Sequence, residues 1–473
     1  MMRFMAGRIV SLMGLVFLFS CATTQKIILK TDEELTRQKI YTSLEKALAN
    51  PNDVVILKLE NDGLTAVPMK ITHLKNLQVL YLGYNKLSEL PPELLSLNKL
   101  QKLYLSNNRF TQVPSNIGLA KQLEVIDFSS NKITLLTDAI YQCKKLKILK
   151  LAENKLVTLP DSISKLSQLE VLDLFSNQMK HLPNDVVKIQ TLQKIDLDWN
   201  QLEDLPMNFG QLISLTVFKA EKNKLTHLPT DFGQLTELTE LKLNDNNLVE
   251  LPQNFGKLAV IKDLNISNNQ LNSIPESIGD MTQLETINLS NNKLTQLTNF
   301  SGLLNLISIN LRSNNLSIIS ASDFNATELK EINFSLNKIS KFTNGFTKVN
   351  SMESIDLEMN DLESIPVQFT NLTNVVFLNL AQNQLVEIDK TINKMVHLEE
   401  INLSGNKIDL FEKDLKNHPA LKRIDLSNNN VKLIPLEYAQ MAHLELLDLS
   451  NNPLYKWHIK QIKKAFTRTK VIF

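Results

Sequence analysis

The chain has 473 residues and almost balanced charge, 51 Lys plus Arg against 50 Asp plus Glu, so it carries no global basic field for nucleic acid. Apolar residues make up 43% and charged residues 21%, which excludes a wholly disordered chain. Glycine is scarce, at 12 residues, which argues against phosphate-cradling Gly-rich loops; repetition has to be tested before length is turned into domains.

In chain order, the first element is MMRFMAGRIVSLMGLVFLFSC. Arg3 and Arg8 precede an apolar run from Ile9 to Phe19, too short to span a bilayer of roughly 30 Å, so residues 1–20 read as a signal peptide. The run ends in Leu18-Phe19-Ser20-Cys21, which resembles a bacterial lipobox, with Phe19 bulkier than usual for that position. The resemblance implies lipid on Cys21, residues 21–30 as a lipidated linker, and anchoring to a membrane surface without spanning it. Ala22 after the cysteine departs from the Asp of an inner-membrane retention signal. The implied location is the bacterial envelope, at the outer membrane or the cell surface. Cys143 is the other cysteine, so a lipidated Cys21 leaves no partner for an intramolecular disulfide.

Thr31-Asp32-Glu33-Glu34 has the form of a capping box, and Leu35, Ile40, Leu44 and Leu48 give a rough apolar stripe. Residues 31–53 are therefore expected to form an N-terminal helical cap ending at Asn50-Pro51.

A ladder then occupies residues 54–455. Asparagine recurs every 23 residues at Asn85, Asn108, Asn131, Asn154, Asn177, Asn200, Asn223, Asn246, Asn269 and Asn292. One step of 22 leads to Asn314, and steps of 23 continue through Asn337, Asn360, Asn383, Asn406, Asn429 and Asn452. Asp62 occupies the same register one step earlier, which makes eighteen repeats of LxxLxLxxNxL, mostly followed by xxLPxxIxxLxx. In LxL both leucines point to one side of a short strand and the residue between points out, as with Leu80, Tyr81 and Leu82. A buried Asn at the turn has donors and an acceptor for backbone groups of neighbouring turns, a task Asp62 is expected to share in part. Proline after the second loop leucine disfavours a long helix there, so the outer side should carry short helical and extended segments. Repeats around 293–345 lose this proline, with Thr298, Ser320 and Thr343 in its place, which suggests altered curvature, a softer joint or a binding loop.

This pattern resembles leucine-rich-repeat proteins across nearly the whole chain. The LP-containing form looks like the repeats of Scribble- and Erbin-type scaffolds and of a bacterial family of exported leucine-rich-repeat proteins. The expected fold is an α/β solenoid, a horseshoe or superhelix with a parallel sheet on its concave face. At the far end Tyr455, Ile459, Ile462 and Phe466 recur at helical spacing before Val471-Ile472-Phe473, so 456–473 reads as a C-terminal cap helix and strand.

No catalytic constellation is visible. The seven histidines (His73, His181, His227, His397, His418, His443, His458) are scattered, and Cys143 stands where other repeats carry a core leucine. Neither cofactor, metal nor small-molecule substrate is expected. What varies is the outward set on the strands, positions 3, 5, 7 and 8 of each unit. Position 5 becomes monotonous at Asn265, Asn288, Asn310 and Asn333. Aromatic residues break the polar pattern twice: at Tyr81, Tyr84 and Tyr104, and at Phe175 and Trp199 amid Asp173, Asp196 and Asp198 with Lys150 and Lys219 alongside. Aromatics on a polar sheet face are candidate interaction hot spots. The competing expectation is that Trp199 folds over its neighbours and that Lys150–Asp173 and Asp196–Lys219 pair across strands. The function expected is non-enzymatic protein binding by a monomeric, lipid-anchored solenoid. Alternatives are a self-associating structural envelope protein, or a cytoplasmic adaptor if residues 1–20 are retained.

Overall fold

A computed structural model describes residues 27–473, apart from 325, 347 and 348. The signal-like segment and Cys21 lie outside the described residues. Among the described residues, twenty short strands form one parallel sheet, each pairing with the strand of the next turn. Register follows the repeat: Leu57 stands beside Leu80, Leu80 beside Leu103, and so on to Leu447 beside Val471. Inward residues such as Leu80, Leu172 and Leu378 are fully buried in one continuous apolar core that runs from Tyr41 to Phe466. Each such leucine contributes about 1.5–3 kcal/mol relative to exposure.

The ladder asparagines tie turn to turn. Asn108 donates through Nδ2 to the Leu82 carbonyl at 2.9 Å and to Leu105 at 3.0 Å, while its Oδ1 accepts from Leu87 N–H at 2.9 Å. The same set recurs at Asn452, the last rung. Asp62 does not share it. It is exposed and supplies only its own N–H, which donates to Asn85 Oδ1 at 3.1 Å. With no earlier turn to join, a buried carboxylate there would lack partners.

The residue before each ladder Asn is left-handed throughout: Tyr84, Glu153, Trp199, Lys222, Leu336 and Met359 all have φ between 53° and 59°, and Gly405 has 68°. The turn imposes this conformation on whatever residue stands there, and each non-glycine pays a small steric penalty that the Asn bonds offset.

The outer side carries 3-10 turns, several entered from a proline, such as Met69–His73 after Pro68 and Asp161–Lys165 after Pro160. Phe209, Phe232 and Phe255 stack along it at 6.2 Å per step. The glycine that follows each permits that spacing: a Cβ on Gly256 would lie 1.7 Å from the Ser277 carbonyl oxygen.

The N-terminal end differs from expectation, and the C-terminal end differs only in which residues pack. The N-terminal cap is not one helix. Asp32–Thr36 is helical and closed by the Thr31–Glu34 capping box, Ile40–Tyr41 is a strand paired with Ile56–Leu57, and Leu44–Ala49 is a second helix. The open edge of the sheet needs a partner, and strand pairing at Ile40 overrides the loose apolar stripe. At the far end Lys456–Ala465 is a helix, and Lys470–Ile472 adds the last strand. Tyr455 is exposed rather than packed, and His458 takes a buried place on that helix, accepting from Ile434 N–H at 3.1 Å.

At some of the positions where proline is missing, the chain forms two separate lateral strand pairs. Ile318–Ser320 pairs with Lys341–Thr343, and Glu387–Ile388 with Leu410–Phe411. Glu412, at the proline position, donates its N–H to Ile388 at 2.9 Å, a bond proline would forbid. The irregular repeats at Ser320 and Thr343 therefore gain strand pairing, whereas the one at Thr298 has no strand there.

Candidate functional site

The left-handed turn explains Trp199. With φ at 59°, its side chain leaves the end of the strand instead of joining the core, and the residue is 51% exposed. Lys222, at the same turn position one repeat later, lays its Nζ 3.6 Å over the indole ring. The neighbour thus folds onto the tryptophan, and about half of the residue stays exposed. Phe175 sits one position earlier in its own repeat, level with Asp198, and is half-buried.

The aspartates do local work. Asp173 Oδ1 accepts from Phe175 N–H at 3.2 Å and Asp196 Oδ1 from Asp198 N–H at 3.1 Å, each closing the turn two residues on. Asp198 is buried and accepts from Glu221 N–H at 2.6 Å. Burial raises all three carboxyls above their ordinary value; Asp198 is pushed up to about 6, with the charges of Asp196 and Glu221 adding to burial against that backbone bond. The expected cross-strand ion pairs do not form. Lys150 stands in register with Asp173 but, among the described residues, makes no ion pair. Lys219 stands in register with Asp196, yet its ammonium goes to Glu240 at 3.0 Å.

The monotony at position 5 is structural. Asn265, Asn288, Asn310 and Asn333 accept from the N–H groups of Ser267, Ser290, Arg312 and Ser335 at 2.9–3.1 Å. The same cap continues through Asp356, Asn379, Asn402, Asp425 and Asp448. Those side chains are spent on the fold.

The tyrosines divide. Tyr84 projects from a left-handed turn and is exposed. Tyr81 and Tyr104 stack at 4.5 Å, and the N-terminal helix covers them: Leu35 packs on Val55, Ile56 and Val79 beside both rings. Lys102 pairs with Asp32 at 2.6 Å, and Lys30 N–H donates to Gln78 Oε1 at 2.8 Å. Burial pushes the Tyr104 phenol up to about 12. Two of the three tyrosines are therefore packed under the chain's own start.

Cys143 is fully buried and its thiol is pushed up to about 11 by burial, far from a nucleophile. Among the described residues, no group of three or more His, Cys, Asp or Glu is placed to hold a metal ion, and no helix is long and apolar enough to cross a membrane.

One feature escaped the sequence reading. Neighbouring strands of the main sheet that are three residues long meet at three positions, but Glu240–Lys242 and Asp263–Asn265 meet only at Lys242–Asn265. Glu240 and Asp263 occupy the same position of successive repeats, where full pairing would set two carboxylates side by side. Each turns to the opposite neighbour, Glu240 to Lys219 at 3.0 Å and Asp263 to the Thr286 hydroxyl at 2.7 Å. The sheet splays between them into a cleft of about 480 Å³ lined by Thr239, Glu240, Lys242, Asp263, Asn265 and Thr286, among others. The signal was available: one step of 23 from Glu240 is Asp263.

Comparison with known proteins follows the same geometry. The leucine-rich-repeat region family matches residues 131–245, and the leucine-rich-repeat family matches 53–110, 98–156 and 236–294. A leucine-rich-repeat protein of Leptospira interrogans is 30% identical, with 92% of this chain and all of that one covered and a TM-score of 0.59. The plant peptide hormone receptor RGFR1, solved in complex with RGF2, is 27% identical over 92% of this chain and 72% of its own, at a TM-score of 0.71. YopM of Yersinia enterocolitica shares the fold at 20% identity, with 90% and 94% covered and a TM-score of 0.56. No curated protein matches.

Proposed function

Because the chain belongs to the leucine-rich-repeat family, we propose that it is a non-enzymatic binding protein that takes a protein ligand on its concave face around Phe175 and Trp199. The observation that carries this reading is an exposed indole, held in a fixed turn and braced from one side by Lys222. A rigid aromatic that stays half exposed is how a binding anchor is built, because little entropy is lost when a partner covers it. The plant receptor RGFR1, which holds RGF2, gives the precedent of a similar fold in a peptide complex. Lipid on Cys21 would hold the solenoid at the bacterial envelope, at the outer membrane or cell surface, as a monomer.

The test is Phe175→Ala with Trp199→Ala in an affinity measurement against a ligand captured from envelope and extracellular fractions. Loss of about thirtyfold or more with an unchanged denaturation midpoint supports the site. Unchanged affinity removes it. Palmitate labelling of the wild type but not of Cys21→Ser tests the anchor, and absence of labelling removes that part alone.

A further inference from the structure

The splayed seam in the inner sheet leaves main-chain groups open where every flanking turn closes them. At the strand entrance two successive N–H groups normally share one carbonyl of the preceding turn: Thr239 and Glu240 donate to Thr216 at 2.9 and 3.1 Å, and Glu285 and Thr286 to Lys262 at 2.8 and 3.0 Å. Lys262 and Asp263 make no such bonds to Thr239. All three residues are exposed, so water satisfies these groups at little cost in the free protein.

The surrounding charge selects the occupant. Glu240, Asp263 and Glu221 line the cleft against the single ammonium of Lys242. Lys219 is already committed to Glu240, and Lys262 reaches away to Glu285 at 2.6 Å. The cleft is therefore a net acidic hollow with free backbone donors and an acceptor at one end. It lies two repeats beyond Trp199 on the same face.

We propose that this seam reads the main chain of the protein ligand: a short extended segment carrying Lys or Arg pairs with the Lys262 and Asp263 N–H groups and the Thr239 carbonyl, and sets its cation between Glu240 and Asp263. The inference rests on the binding function proposed above and adds the chemistry of the partner. Backbone bonds supply affinity that does not depend on ligand sequence, and the carboxylates choose the charge. Acidic or purely apolar segments would leave Asp263 without a counter-charge.

The probe is a displayed library of random heptapeptides, panned against the detergent-solubilised full chain, with the enriched peptides then synthesised. The expected result is enrichment of Lys or Arg, with affinity that falls as salt rises. Glu240→Gln with Asp263→Asn is expected to weaken binding tenfold or more. Bound peptide should slow amide exchange at Lys262 and Asp263. In the free protein the same double variant removes the like-charge contact, so those amides should slow without any peptide, which shows that the variant folds and that repulsion opens the seam. No enrichment, enrichment without a basic residue, or affinity unchanged in the double variant overturns the proposal. A captured protein ligand separates the two readings. If it is lost by Phe175→Ala with Trp199→Ala but kept by the seam variant, the seam falls and the concave-face function stands; if both variants keep it, the concave-face function falls as well.

Discussion

Two stretches of one inner face, residues 127–222 and 265–450, share their strands, their buried leucines and their left-handed turns, yet differ in what points outward. In the second stretch position 5 is Asn or Asp in every repeat, and each caps the backbone two residues on. In the first, position 5 mixes Asp127, Asp173 and Asp196, which make the same cap, with Lys150 and Lys219, which do not, and the neighbouring positions carry Phe175 and Trp199. The difference shows that polarity on a solenoid face has two meanings. A polar side chain that closes its own turn is unavailable to a partner, whereas an aromatic braced by one lysine is available. The seam at Glu240 and Asp263 lies on the boundary between the two.

The largest expected effect should not distinguish the stretches at all. Asn154→Ala removes bonds to Phe128 at 3.0 Å, to Leu151 at 3.0 Å and from Ile133 at 2.9 Å, so about 3 kcal/mol or more of stability is lost. Asn360→Ala should cost the same. A denaturant midpoint that shifts for only one of them would break the claim of a common ladder.

Next comes the aromatic pair. Phe175→Ala with Trp199→Ala should cost about 2 kcal/mol or more in ligand binding. Leu336→Ala with Met359→Ala, both at the turn position of Trp199 but in the second stretch, should leave affinity unchanged. Titration of both double variants with the same ligand sharpens the comparison directly.

A smaller effect is pH-dependent. The Asp198 carboxyl titrates at about 6 when folded, above its ordinary 3.8. A raised carboxyl favours the protonated folded state, so its contribution is fully present below the unfolded value and is lost as pH rises through about 6. Asp198→Asn keeps an oxygen for Glu221 N–H and removes the buried charge. It should stabilise the protein by about 1–3 kcal/mol at pH 7, with the gain vanishing below pH 4. Denaturation midpoints at the two pH values check the sign. The smallest effect separates the stretches again: Asn310→Ala uncaps Arg312 N–H and should cost about 1 kcal/mol, whereas Lys150→Ala should stay within about 0.5 kcal/mol.

Much of the scaffold was legible because one step of 23 maps each residue onto its neighbour across the sheet. That spacing gave the buried leucines, the asparagine rungs and the outward set containing Trp199. It gave only a partial signal of the left-handed turn: Asn107, Asp245, Asn268, Asn291, Gly405, Asn428 and Asn451 are types that favour it, but other repeats carry Tyr, Ser, Glu, Trp, Lys, Leu, Met or Gln there, and the backbone dictates it. The cover over Tyr81 and Tyr104 was hidden for another reason. Leu35 reaches Val79 only through tertiary packing, which no periodicity encodes. The lateral strands are explained by the missing prolines, which free an N–H at positions such as Glu412. Lys219 could be placed beside Asp196, but its choice of Glu240 depends on side-chain reach.

The central claim is that a protein ligand lies on the first stretch and not the second. Ser176 and Ser313 have the same left-handed turn, with φ of 53° and 59°, one in each stretch. A photo-crosslinking residue placed at each, in separate full-length variants, reports which one touches the ligand. Crosslinking from position 176 with none from position 313 is the predicted result; crosslinking from position 313 alone would contradict it.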